Sequence, residues 1–94
     1  MPRTIRRLPA FERDYRREKR GATGPQIISR IAHRLTLLLD DQPLPARYRD
    51  HPLRGEWADH RDCHIRPDLI LIYRKPDADR LELVRLGSHS ELFS

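Results

Sequence analysis

Five consecutive apolar residues, Leu69-Ile70-Leu71-Ile72-Tyr73, stand in a chain in which 35% of residues are charged. Successive side chains of a strand point to opposite faces, so this run needs cover on both sides and predicts the central strand of a sheet. The other apolar run has a different period. Ile27, Ile28, Ile31, Ala32, Leu35, Leu38 and Leu39 recur at helical spacing and offer one apolar face to lay on that sheet. Hydrophobic residues make up only 37% of the 94, but clustering in two runs argues for a folded chain rather than a disordered one. A chain of this length holds one small domain, and residues 1–94 are read as one.

The elements around these runs follow from their punctuation. Thr4 to Arg7 is a short first strand of poor β character. Pro9 suits the first turn of a helix in which Phe11 and Tyr15 share a face, with Gly21 as its stop. Thr23-Gly24-Pro25 opens the second helix, and Asp40-Asp41-Gln42-Pro43 ends it. The short connection predicts an antiparallel helical hairpin. Leu44 to Arg54 reads as an ordered loop. From Gly55 the period becomes two, with strands over Glu56 to Ala58, Arg61 to Arg66, Leu69 to Arg74 and Arg80 to Leu86, and a turn at Pro76 to Asp79. Leu81, Leu83 and Arg85 are expected on one face of the last strand, with Glu82, Val84 and Leu86 on the other. Ser88 to Phe93 makes one closing helical turn. The sum is an α+β domain: a helical hairpin on one face of a mainly antiparallel sheet of about four strands, the other face open, and a short C-terminal helix.

The net charge is +5, and the whole surplus lies in residues 1–20, with eight basic groups against three acidic ones. Such a segment favours a polyanionic partner. The single cysteine, Cys63, excludes an intramolecular disulfide and a thiolate cluster and suits a reducing cytosol. No apolar run approaches the roughly 18 to 20 residues of a membrane helix, so a cytoplasmic protein without a membrane role is expected.

Chemistry concentrates between Asp50 and Phe93, which hold four of the five histidines. Cleaving RNA without a metal needs a base for the ribose 2′-hydroxyl, an acid for the leaving 5′-oxygen and a cation for the phosphorane. Imidazoles suit both proton transfers, a carboxylate can act as base or hold a tautomer, arginine grips phosphate, and an aromatic ring can stack on a splayed base. His51, His64, Asp68, Arg85, His89 and Phe93 fill these roles, with Arg61 as a further substrate contact. Arg85, beside Leu81 and Leu83, is an awkward charge without a partner or ligand. His51, His64, His89 and Asp68 are also possible zinc ligands, but no HxxxH, HxH or CxxC spacing is present. Neither metal nor other cofactor is expected.

The same residues carry a family resemblance. Asp50-His51-Pro52-Leu53-x-Gly55-x-Trp57, then Arg61-Asp62-x-His64-Ile65-x-Pro67-Asp68-Leu69-Ile70-Leu71-Ile72-Tyr73, then Arg85-x-Gly87-x-His89-x-x-Leu92-Phe93 resembles the YafQ branch of the RelE superfamily of bacterial toxins. The match is dense over residues 43–93, and the N-terminal helices match only in pattern. The resemblance implies a RelE-like fold and the toxin of a type II toxin–antitoxin pair. It implies an endoribonuclease that enters the A site of the 70S ribosome and cuts mRNA by 2′-hydroxyl attack, leaving a 2′,3′-cyclic phosphate. The implied partner is a ribbon-helix-helix antitoxin, through which alone operator DNA is contacted. Asp68 is the favoured base and His89 the favoured acid, with His64 and Arg85 on the scissile phosphate, His51 orienting the substrate and Phe93 stacking. Base and acid can be exchanged among His51, His64, Asp68 and His89. Leu69 stands where some relatives carry a larger aromatic residue, and Cys63 replaces a small apolar one. Two other readings compete: a same-fold toxin acting on a protein such as DNA gyrase, as ParE relatives do, and a non-catalytic RNA-binding module.

Overall fold

The computed structural model describes Arg3 to Phe93. Its order is β1 (Thr4–Arg7), α1 (Pro9–Lys19), α2 (Gly24–Leu39), β2 (His51–Pro52), β3 (Arg61–Arg66), β4 (Leu69–Arg74), β5 (Arg80–Gly87) and α3 (His89–Phe93). The strands form one mixed sheet in the order β1-β5-β4-β3-β2. β4, the all-apolar run, lies at its centre, and every residue from Leu69 to Tyr73 is buried. β1 runs parallel to β5, while the other pairs are antiparallel. The chain is therefore α+β, as expected: β1 at one edge is the short first strand read at Thr4 to Arg7, and the two-residue β2 at the other edge is the strand not expected.

Each sheet face has its own core. Under the helical hairpin, Phe11, Ile27, Ile31 and Leu38 meet Cys63, Leu71, Leu81 and Leu83. On the opposite face Ile70, Ile72, Val84 and Leu92 pack together, flanked by Leu8, Leu53, Trp57 and Phe93. The second face is thus covered in part rather than left open. The cover comes from α3 and from the loop that carries Leu53 and Trp57.

That loop also corrects the strand expected at Glu56 to Ala58. Gly55–Trp57 is a 3₁₀ turn. Gly55 has φ +66° and Asp59 φ +70°, values that an extended strand cannot contain. Bonds from Ala58 N to Gly55 O (3.0 Å) and from His60 N to Trp57 O (3.0 Å) keep the segment coiled. Leu44 to Arg54 likewise contains a 3₁₀ turn at Ala46–Tyr48 before β2.

The hairpin between α1 and α2 turns on Gly24. A Cβ there would stand 2.1 Å from the Lys19 carbonyl oxygen, a backbone atom that cannot swing away. Gly24→Ala is expected to cost roughly 1 to 3 kcal/mol, the range for overpacking. For a domain of this size that lowers the melting temperature by roughly 5 to 20 °C. A thermal melt by circular dichroism checks it, and an unchanged midpoint would mean that the turn relaxes freely.

Candidate active site

Strand alternation builds one wall. Asp62 and His64 lie on the same side of β3, opposite Ile72 and Ile70 of β4. β2 then sets His51 across from Asp62. From the other side, β5 ends at Gly87 opposite Ile70, and the chain turns directly into α3. That turn places His89 at the first position of the helix and Phe93 at its last. Together these elements enclose an open cavity of about 380 Å³ with the imidazoles of His51, His64 and His89 in its walls. Ile70, Leu53 and Phe93 give it apolar surface, and Arg49 contributes a cation. The Phe93 ring lies 5.0 Å from the His89 ring and 6.4 Å from Trp57. The aromatic end of the second core therefore fixes α3 beside the cavity.

The protonation of His51 can be read from its partners. Its Nδ1 lies 2.7 Å from the carbonyl oxygen of Arg49. A carbonyl only accepts, so Nδ1 carries the hydrogen and neutral His51 presents a lone pair on Nε2. Arg49 has φ +53°, a left-handed conformation uncommon outside glycine, and its N–H bonds Ala46 O at 3.0 Å. Asp62 Oδ1 is 3.0 Å from the same Nδ1. Because the N–H is directed at Arg49, that oxygen is buried without a hydrogen bond of its own, and it acts on the ring through its charge.

Burial pushes the Asp62 carboxyl up from its ordinary value near 3.8, while the His51, His64 and His89 imidazoles pull it back when protonated. A carboxyl raised in the folded state loses stability for the fold as pH climbs from that ordinary value through the raised one, because the unfolded chain ionises first. Asp62→Asn removes this cost. Its expected result is a higher melting temperature at neutral pH and a flatter pH dependence in that window. Melts of both proteins across the acid range test it, and a lower neutral-pH midpoint for Asp62→Asn would contradict it.

Four of the residues singled out in the sequence, His51, His64, His89 and Phe93, line this cavity. Three others do not. Asp68 is exposed on the two-residue turn between β3 and β4. Arg61 spends its guanidinium on Asp50, with Nε at 3.2 Å and Nη2 at 3.3 Å, and the Tyr73 hydroxyl donates to the same carboxylate. Arg85 is displaced by a bulge. Ile72 pairs with Arg85, yet the next residue Tyr73 pairs with Leu83, so Val84 is the extra residue. Arg85 therefore does not share a face with Leu81 and Leu83. Its Nε binds buried Asp14 of α1 at 2.8 Å, which supplies the partner its charge requires. Arg49 and Asp62 are the site residues that sequence reasoning missed. The signal for Asp62 was present in its alternation with His64, whereas the left-handed turn at Arg49 has no sequence marker. Cys63 is fully buried on the helix side, and burial pushes its thiol up to about 12, so it is no nucleophile.

A helical hairpin on a mixed sheet is an arrangement this chain shares with solved bacterial toxins. A chain of the E. coli DinJ-YafQ toxin-antitoxin complex is 34% identical, with a TM-score of 0.83 and 100% of both chains covered. A metal-bound toxin from Helicobacter pylori is 39% identical, with a TM-score of 0.81 and coverage of 99% of this chain and 100% of that one. These likenesses define the class as a small RelE-like toxin of a toxin–antitoxin system. A family model described as "Bacterial toxin of type II toxin-antitoxin system, YafQ" matches residues 3–94. The chain belongs to the YafQ family of type II toxins. One relative, the mRNA interferase toxin YafQ of E. coli K12, is 45% identical over 67 residues, which span 70% of this chain and 72% of that protein.

Proposed function

We propose that this protein is a ribosome-dependent endoribonuclease that cuts mRNA in the A site without a metal. The observation that carries the reading is the set of three imidazoles around one cavity, with the tautomer of His51 fixed by Arg49 and the Asp62 carboxyl 3.0 Å from its ring. It is supported by the name mRNA interferase given to the E. coli relative. Among the described residues no group of three or more His, Cys, Asp or Glu side chains is placed to hold a metal ion.

In the proposed reaction, His51 Nε2 takes the proton of the 2′-hydroxyl as that oxygen attacks phosphorus. The P–O5′ bond breaks, and His89 gives its proton to the leaving oxygen. The products are a 2′,3′-cyclic phosphate and a 5′-hydroxyl. His64 and Arg49 balance the phosphorane charge, the part first assigned to His64 and Arg85. The base role expected of Asp68 moves to His51, because Asp68 lies outside the cavity wall. Phe93 offers a ring edge or face to the nucleotide at the cut. Arg13, Arg16 and Arg20 of the first helical segment form no ion pair among the described residues and are assigned to ribosomal RNA phosphates. Working on ribosomes places the protein in the cytoplasm. The DinJ-YafQ complex supports an antitoxin partner here as well, assigned as a ribbon-helix-helix protein that alone contacts operator DNA.

The experiment is mRNA cleavage on purified programmed ribosomes with EDTA present, mapped by primer extension, beside a control without ribosomes. A cut inside the A-site codon only with ribosomes is the expected result. No cut, from a folded protein that still arrests growth, would shift the reading to a toxin acting on a protein target.

A further inference from the structure

His64 and Arg49 stand in the walls of a second cavity as well, larger at about 520 Å³ and walled by Arg30, Arg34, Arg47 and Arg66. No carboxylate lines it, and none of its five arginines forms an ion pair among the described residues. Their protein hydrogen bonds end on neutral groups. Arg30 Nη1 reaches Ile65 O at 3.2 Å, Arg66 Nη1 reaches Thr23 Oγ1 at 2.9 Å, and Arg34 binds His64 O at 3.0 Å and Arg30 O at 2.8 Å. Arg34 is only 5% exposed. A cation buried without a counter-charge is costly, and burial accordingly pulls the Arg34 guanidinium down from its ordinary range. Five like charges converging on one cavity raise that cost further, and an anion seated there relieves it.

The kind of anion follows from the walls. Planar guanidinium forks match phosphate oxygens in pairs. Of the two rings in its wall, His64 is shared with the imidazole cavity, and Tyr48 already has Arg34 at 3.7 Å and Arg47 at 4.9 Å from its centroid, and the edge of His33 against it. A nucleobase finds no free platform, so a backbone is gripped rather than a base. His64 and Arg49 stand in the walls of both cavities, so the two adjoin, as sites for successive charges of one strand require. We propose that the arginine cavity is a second phosphate subsite, holding a phosphodiester of the same RNA strand to one side of the scissile phosphate. The inference deepens the nuclease reading and takes the identity of the strand from it.

The test uses a strand that cannot be cut. A fluorescent single-stranded 2′-deoxyoctanucleotide lacks the attacking hydroxyl, so its binding is independent of catalysis. Arg30 is exposed and Arg66 half-buried, so the double variant Arg30→Gln/Arg66→Gln keeps the fold, checked by its melt. Anisotropy titrations across a salt series should show affinity down by about tenfold and the slope of log K against log[salt] shallower by about 1. In the wild type the Arg34 Nε–H cross-peak should move on adding the octamer. Equal affinity and slope for both proteins with an unmoved Arg34 signal would overturn the proposal. Unchanged octamer affinity with lost ribosome binding would assign the phosphate to ribosomal RNA and overturn the substrate-strand assignment. Unchanged octamer affinity with weakened binding of polyglutamate would overturn it in favour of an acidic protein segment. Octamer binding lost in the variant, from a protein whose wild type never cuts mRNA, would uphold the phosphate subsite and sink the nuclease reading alone.

Discussion

On the proposed mechanism, His89→Ala is expected to lower the rate of A-site cleavage by about 10²- to 10⁴-fold, the usual contribution of one general acid or base. His89 stands exposed at the first position of α3, with its ring 5.0 Å from that of Phe93. Its loss therefore leaves the melt nearly unchanged, and the whole effect is on the reaction. The loss falls on kcat rather than KM, because the proton is delivered only as the P–O5′ bond breaks. His51→Ala is expected to produce a loss of the same order, by removing the proposed base. His51→Ala and His89→Ala combined lose far less than the product of the two, since acid and base act as one unit. Asp68→Asn, outside the cavity wall, should slow the reaction less than either. Single-turnover cleavage on programmed ribosomes measures all of this. A His89→Ala protein that cuts at the wild-type rate would remove the acid assignment, and an Asp68→Asn loss exceeding that of His51→Ala would return the base role to Asp68.

The periodicities located the helices and the central strands to within a residue or two, because those segments obey one rule along their whole length. Ile27 to Leu39 keeps a single apolar face, and Leu69 to Tyr73 has no polar face to expose. Three features broke a rule locally and were not legible. At Gly55 and Asp59 positive φ values coil a segment whose composition reads as strand. At Val84 one extra residue rotates Arg85 away from the face that strict alternation assigns it. At Arg49 a left-handed residue aims a carbonyl at His51, and only backbone geometry reveals it. The imidazoles were visible as chemistry, but which charged residues join them depended on tertiary pairing. Arg61 and Arg85 look like phosphate ligands in sequence, and in the fold each faces a carboxylate. Arg34 looks like one residue of an apolar helix and is a buried cation.

Arg85 also sets the second large effect, this time on stability. Asp14 is a buried carboxylate on α1, and it receives three bonds: Arg85 Nε at 2.8 Å, Arg85 Nη2 at 3.3 Å and the Leu86 backbone N–H at 2.9 Å. β1 leaves the sheet after Arg7 pairs with Leu83, so the next stretch of β5 has no strand on that edge. Asp14 takes over there, satisfying the Leu86 N–H that the missing strand leaves free. Asp14→Ala removes the acceptor and strands both a buried N–H and a guanidinium. Breaking a buried pair from one side costs about 3 to 5 kcal/mol. The Arg85 side chain keeps 29% of its exposure, so water recovers part of its charge and the low end of that range applies. Against a total of about 5 to 15 kcal/mol for a small domain, that is a large fraction. Asp14→Asn keeps an oxygen for Leu86 and should lose less. Removing both partners, as Asp14→Ala with Arg85→Met, should be milder than the sum of the singles, because no unpaired charge remains. Urea unfolding of the four proteins gives the coupling directly. A loss under about 1 kcal/mol for Asp14→Ala would mean that Arg85 is free to leave Asp14, and the phosphate role first expected of it would then return to consideration.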